Sequence, residues 1–329
     1  MNGILIVNKP QGLTSHDVIS FFRRKTGVKR IGHSGTLDPM ATGVLPVFIG
    51  KATRIIPFAS MGDANAAKAY RCTMQLGIET DTQDIWGESL HTFQGSFPPE
   101  DEVARVLAGF QGPGTQIPPM YSAVKIGGRK LYEYARKGQE VPPDAIRPRQ
   151  IYINNIYVNR YDRGAGSVVF DVESSKGVYI RTICADAGKL LGCGAVMSGL
   201  VRTKSDGFLI ENSVALDTLR PEDAALPKLL PLDAPLAWMP AALLDETAAR
   251  AFANGISAAA PAEAEAEVEY EAEYGAERDL PRGYGPNHSM ANHQKQAKDL
   301  LRVYGPGGFV GIGTVCAKQI KPYRVFKLR

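Results

Sequence analysis

Apolar residues recur along this chain in two rhythms, continuous or period-two runs that suit strands and three-four spacing that suits helices. The run GILIV at 3–7 ends at Asn8, Lys9 and Pro10 and predicts a strand entering a turn. Thr14 or Ser15 then supplies an N-cap for a helix over about 15–25. A second apolar run predicts a strand over 44–49, followed by a short helix over about 52–58. Residues 70–76 read as a strand. The polar, turn-rich LGIETDTQDIWG at 76–87 reads as a long hairpin excursion. Over 101–110, Val103, Val106, Leu107 and Phe110 fall at i, i+3, i+4 and i+7, which predicts an amphipathic helix. IPPMYSAVK at 117–125 is extended, and 130–137 predicts a helix displaying several cations.

Strands are predicted over 151–158 and 168–174, and a helix from about Tyr179. In that helix Ile180, Ile183, Cys184, Ala187, Leu190 and Leu191 make one apolar stripe. Arg181 falls one residue beyond the first stripe position, still in the first turn, where the helix dipole disfavours a cation. An anion from elsewhere must repay that cost; Asp38 is one candidate and any other nearby acid is the alternative. The Pro-rich passage 227–240 reads as a linker or inter-domain wrap, and 245–254 as a short helix. Residues 301–326 return to strand-like sequence, with GPGGFVGIG at 305–313 as a hairpin; no helix follows, so it is not a dinucleotide loop. Strands and helices mix without strict β-α-β repetition. The fold class expected is α+β, a mixed and largely antiparallel sheet with flanking helices.

Composition narrows the function classes. At 329 residues the chain is long enough for two domains. No apolar run approaches the roughly 18 residues of a membrane-spanning helix. The N-terminal stretch lacks the charged start, long apolar middle and cleavage site of a secretory signal, so a cytoplasmic location is expected. The four cysteines, at 72, 184, 193 and 316, show no CxxC or zinc-ligand spacing and are expected to be buried free thiols. Net charge is only +4, yet 263–279 holds eight acids and one Arg, a local −7 that leaves +11 on the remainder. A basic body with one acidic appendage suits a polyanionic partner. Its cationic clusters are Arg23, Arg24, Lys25, Lys29 and Arg30, and Arg129, Lys130, Arg136 and Lys137. The alternating Glu residues between 263 and 273 fit either a disordered insertion or an edge hairpin; His288 and His293 nearby read as solvated.

The candidate chemistry centres on GHSGTLDPMATGVLP at 32–46. One carboxylate, Asp38, sits among a His, several Gly and two Pro, just ahead of a buried strand. A rigid loop at a strand mouth is a common seat for reactive groups. An isolated Asp-Pro is more often a turn starter. Glu79, Asp81 and Asp84 do not match a calcium-loop spacing and read as turn-forming acids.

Four separated segments, in order, resemble the motifs of the TruB family of tRNA pseudouridine synthases. They are the Asp38 loop, Lys68 to Tyr70 (KAY), SKGVYIRTICADAGKLLG at 175–192, and LVRT at 200–203, where Val201 replaces an expected Arg. The likeness implies a catalytic domain over 1–238 with a thumb-like insertion at about 77–140. It also implies a small β-rich, PUA-like RNA-binding domain over 239–329, interrupted by the acidic insertion at about 258–299. Asp38 would be the nucleophile, with Tyr70 and Arg181 the other catalytic residues. His33, Lys68, Tyr179, Leu200 and Arg202 would bind substrate. Expected are base flipping at the T-loop uridine of tRNA, no cofactor, no metal, no membrane, no obligate protein partner and a monomer. The insertion favours the stand-alone bacterial branch over the guide-RNA-directed one. A non-catalytic RNA-binding protein or chaperone of the same fold would have lost Asp38, Tyr70 or Arg181, and all three are present.

Overall fold

A computed structural model of the chain describes residues 1–62, 67–142, 145–220, 225–259, 299–316 and 318–326. Its centre is a ten-stranded sheet. Eight strands run in the order Val214–Ala215, Gly3–Lys9, Thr42–Ile49, Ala195–Ser205, Lys68–Leu76, Ser167–Ser174, Arg149–Asp162 and Gly112–Gln116. Phe208–Leu209 and Ile31–His33 pair alongside. Two pairings are parallel, Gly3–Lys9 with Val214–Ala215 and Thr42–Ile49 with Ala195–Ser205; the others are antiparallel. The expected mixed, largely antiparallel α+β architecture is therefore observed.

The helices form where the three-four spacing placed them. Ser15–Thr26 opens with a capping box: Thr14 Oγ1 accepts from the Asp17 amide, and the Asp17 carboxylate accepts from the Thr14 amide. Val18, Ile19 and Phe22 go into the core. Glu100–Ala108 buries Val103 and Leu107 and carries three acids in its first turn, which suits the helix dipole. Ile180–Leu190 buries Ile180, Ile183, Cys184 and Ala187 in a cluster with Phe170, Met74 and Met197. Leu191 packs half-buried against the same cluster, but Leu190, also expected in the stripe, is exposed.

Other expectations need correction. In place of one helix over 52–58 there is a 3-10 turn, Gly50–Arg54, then the short helix Ile56–Ala59. Pro57, which has no N–H to donate, fits only the first turn of a new helix. Cys316 is exposed, unlike the three buried cysteines. The excursion at 76–87 is a true hairpin, Ile78–Thr80 against Ser89–Thr92.

A second, five-stranded sheet runs Ala241–Leu243, Leu300–Gly305, Gly308–Cys316, Gln319–Val325 and Ala258–Ala259, with helix Glu246–Ala253 against it. The hairpin expected at 305–313 is its turn. Leu236 and Met239 bring the Pro-rich passage into an apolar cluster shared with Phe58 of the first unit and Phe309, Ile312 and Phe326 of the second. Arg54 adds a bond from Nη1 to the Val325 carbonyl at 2.9 Å and lies over the Phe326 ring. The alternating acids, His288 and His293 lie outside the described residues. Among the described residues no helix is long and apolar enough to cross a membrane.

Candidate active site

The Asp38 loop is fixed by its backbone. Ser15 Oγ donates to the Leu37 carbonyl at 3.1 Å and accepts from the Leu37 amide at 2.8 Å. The Gly12 amide donates to the Pro39 carbonyl, and the Ala41 amide closes a turn onto the Asp38 carbonyl. Leu37, Met40 and Ala41 are buried on either side. These contacts hold the Asp38 backbone while its side chain stays about one-third open, at 36% exposure. Gly43 lets the loop rejoin the sheet: its φ is +102°, and a Cβ there would strike the Arg202 backbone carbonyl at 2.2 Å.

Arg181 meets Asp38 side-on. Nε lies 2.9 Å from Oδ2 and Nη2 3.4 Å from Oδ1. The remaining donors go to backbone, Nη1 to the Thr82 carbonyl and Nη2 to the Tyr121 carbonyl, both at 2.9 Å. Arg181 has left the apolar stripe, as its position required, but is enclosed by these two segments instead of reaching solvent. Asp84 stands 3.9 Å from Nη1; burial pushes its carboxyl above the ordinary range, and the Thr82 hydroxyl and Arg181 oppose that. Asp81 and Asp84 also make turn bonds, to the Glu88 and Trp86 amides.

Tyr70 lies half-buried beside this pair, its ring against the cluster that contains Leu37, Met40, Ile180 and Leu200. Burial raises its phenol above the ordinary value, with the Arg202 guanidinium working the other way. Its register partners are Val172 and Arg202 on the flanking strands. Leu200 is buried; Tyr179 is half-buried just ahead of Arg181. His33 is half-buried, and burial, with help from the Arg202 charge, pushes its pKa down to about 4, so it is neutral at pH 7.

Lys68 and Arg202 are turned inward, not toward solvent. Arg202 is 1% exposed and donates to the Val44 and Gly35 carbonyls at 2.7 and 3.0 Å. Lys68 bonds Asp206 at 2.8 Å and Ser205 at 2.7 Å; burial lowers its pKa to about 8 against the opposing pull of Asp206. With their polar atoms taken by protein, both brace the loop from beneath. Four contributors had no sequence signal. Lys9 is buried, donates to the Leu13 carbonyl at 2.6 Å and places a second cation near Asp38. Asp206 accepts from Ser34, Ser60, Lys68 and Ser205. The Thr82 and Tyr121 carbonyls are backbone groups that any residue would carry.

The site thus presents a carboxylate on a rigid loop, about one-third open and gripped by one guanidinium, beside an apolar floor and an aromatic ring, groups that suit contact with a flat, stacked substrate. Comparison with known proteins gives the family. Residues 23–180 match the N-terminal domain of TruB family pseudouridylate synthases, and 181–237 the tRNA pseudouridylate synthase B C-terminal domain. A tRNA pseudouridine synthase B of Alkaliphilus oremlandii is 45% identical over 78% of this chain and 82% of its own. One of Clostridium tetani is 37% identical over 100% of this chain and 99% of its own. A chain of the crystal structure of a Cbf5–Nop10–Gar1 complex superposes with a TM-score of 0.65 over 99% of this chain and 85% of that one; at 24% identity it speaks to the fold alone. This chain belongs to the TruB family of pseudouridylate synthases.

Proposed function

We propose that the protein is a tRNA pseudouridine synthase that isomerises the T-loop uridine, position 55 in tRNA numbering, with Asp38 as nucleophile. The observation that supports this most is the Asp38–Arg181 pair, in which the carboxylate is held by a buried guanidinium yet keeps an open edge. The reaction breaks the N1–C1′ bond of the nucleoside, turns the uracil and joins C5 to C1′. The C5 proton leaves to solvent and N1 gains one, so atoms balance without a redox or energy-carrying co-reactant.

In this reading the uridine swings out of its stack, which costs a few kcal/mol and less in an irregular loop. Tyr70 and Leu200 hold the loose ring, with Tyr179 at the pocket edge. Arg181 grips the Asp38 carboxylate side-on and keeps it facing C1′. Neutral His33 stacks on nucleotides left behind. Arg23, Arg24 and Arg30, all exposed, supply phosphate contacts.

The test is tritium release from a bare tRNA transcript carrying 5-³H-uridine, using the purified chain with nothing added, followed by mapping of the product. Release confined to the T-loop position is expected. Release only with an added guide RNA would place the protein in the guided branch, and none under either condition would remove the enzymatic reading.

A further inference from the structure

Arg181 owes its aim to a backbone that has no conventional anchor. Helix Ile180–Leu190 begins without a side-chain cap: Tyr179 sits at the N-cap with no oxygen able to reach the first-turn amides. The preceding turn, Lys176 and Gly177, is exposed, with Gly177 at φ +86°. A cation in the first turn is further disfavoured by the helix dipole. Yet a functional pair of this kind must be held to within about 0.5 Å of its working geometry.

Gln116 supplies the anchor. It is the last residue of strand Gly112–Gln116, only 5% exposed, and its carboxamide clasps the Tyr179 residue from both sides. Oε1 accepts from the Tyr179 amide at 2.8 Å, and Nε2 donates to the Tyr179 carbonyl at 3.0 Å. Two bonds fix rotation as well as position, which a single cap cannot do. The same residue starts the segment whose Tyr121 carbonyl receives Arg181 Nη2. Gln116 therefore fixes the backbone from which the guanidinium projects.

We propose that Gln116 is a positioning residue that aims Arg181 at Asp38 by clasping the Tyr179 backbone; this rests on the catalytic reading of that pair. Other side chains fail for stated reasons. Asn is one methylene short. Ionised Glu accepts but cannot donate. Met fills the space and makes neither bond. Protonated Glu, by contrast, is nearly isosteric with Gln and restores both.

Steady-state kinetics on tRNA, with the full-length chain, test this. Gln116→Met lowers kcat by about ten- to a hundredfold, the scale of a small misplacement of a reacting group, while KM stays nearly constant. Gln116→Glu is similarly slow at pH 8 and recovers relative to wild type as pH falls to 6, because protonation returns the missing donor. A wild-type kcat in Gln116→Met, a KM that rises in step with the loss of kcat, or a Gln116→Glu ratio flat with pH overturns the proposal. Should Gln116→Met fail to fold, the pH-dependent recovery of Gln116→Glu decides alone. Should wild type form no pseudouridine, hydrogen exchange at the Tyr179 amide still reads the clasp. Faster exchange in Gln116→Met supports the clasp and removes only the catalytic reading; unchanged exchange removes the clasp itself.

Discussion

Two Asp–cation pairs brace the same loop, and they are built in opposite ways. Asp206 is enclosed. Its side chain is 0% exposed, it pairs with Lys68 at 2.8 Å, and it also accepts from the hydroxyls of Ser34, Ser60 and Ser205. Burial works against its ionisation, but Lys68 and the hydroxyls outweigh this and hold its carboxyl below the usual range. Asp38 is 36% exposed, and among the described residues its carboxylate accepts from Arg181 alone. One carboxylate has its oxygens saturated by protein, so it has nothing left with which to react. The other keeps a free edge. Full satisfaction makes a brace; deliberate under-satisfaction, backed by a buried partner, leaves capacity for a substrate.

That contrast can be broken at either pair. Arg181→Ala strips the open carboxylate of its partner. It should lower turnover by about 10²–10³, the scale of one preorganised electrostatic contact, and leave tRNA affinity nearly unchanged. Equal losses in single-turnover rate and in filter-binding affinity would make Arg181 a binding residue. At the closed pair, Asp206→Asn leaves Lys68 buried without its counter-charge and should cost about 3–5 kcal/mol of stability, read from urea midpoints. Removing both charges, as Lys68→Met with Asp206→Asn, should recover much of that. A double variant no more stable than the single would show that the hydroxyls, not the ion pair, carry the brace.

The smallest expected effect is at His33. Its pKa falls from 6.5 to about 4 on folding because the ring is buried near Arg202. Between those values the unfolded chain binds the proton and the folded chain does not, so stability drops as pH falls from 6.5 toward 4. Urea midpoints should decline less steeply across that window in His33→Gln. Parallel declines would mean that other groups set the acid limb.

Much of this was legible in the sequence, for physical reasons. The three-four spacing of Val103, Val106, Leu107 and Phe110 and the cap at Thr14 placed helices because those signals are local. The offset of Arg181 from its stripe required an outside anion, and Asp38, 143 residues earlier, provides it. The inward turn of Lys68 and Arg202 was not legible. Each follows from cross-strand register: Arg202 opposes Tyr70 and Gly43, and Lys68 opposes Ser205 and Ser174. A cation in a strand is written the same way whether it faces water or Asp206. Gln116 likewise acts 63 residues away through backbone atoms that no composition marks. The single helix read over 52–58 missed the break at Pro57, although its missing N–H is a local property.

The proposed reaction stands or falls on the open carboxylate of Asp38. The most direct measurement is single-turnover tritium release by Asp38→Asn, with enzyme in excess over labelled tRNA and with folding and tRNA binding checked in the same preparation. Native melting, native binding and no release above the no-enzyme background are expected if Asp38 is the nucleophile. Reproducible release from the folded, tRNA-bound variant would contradict that role.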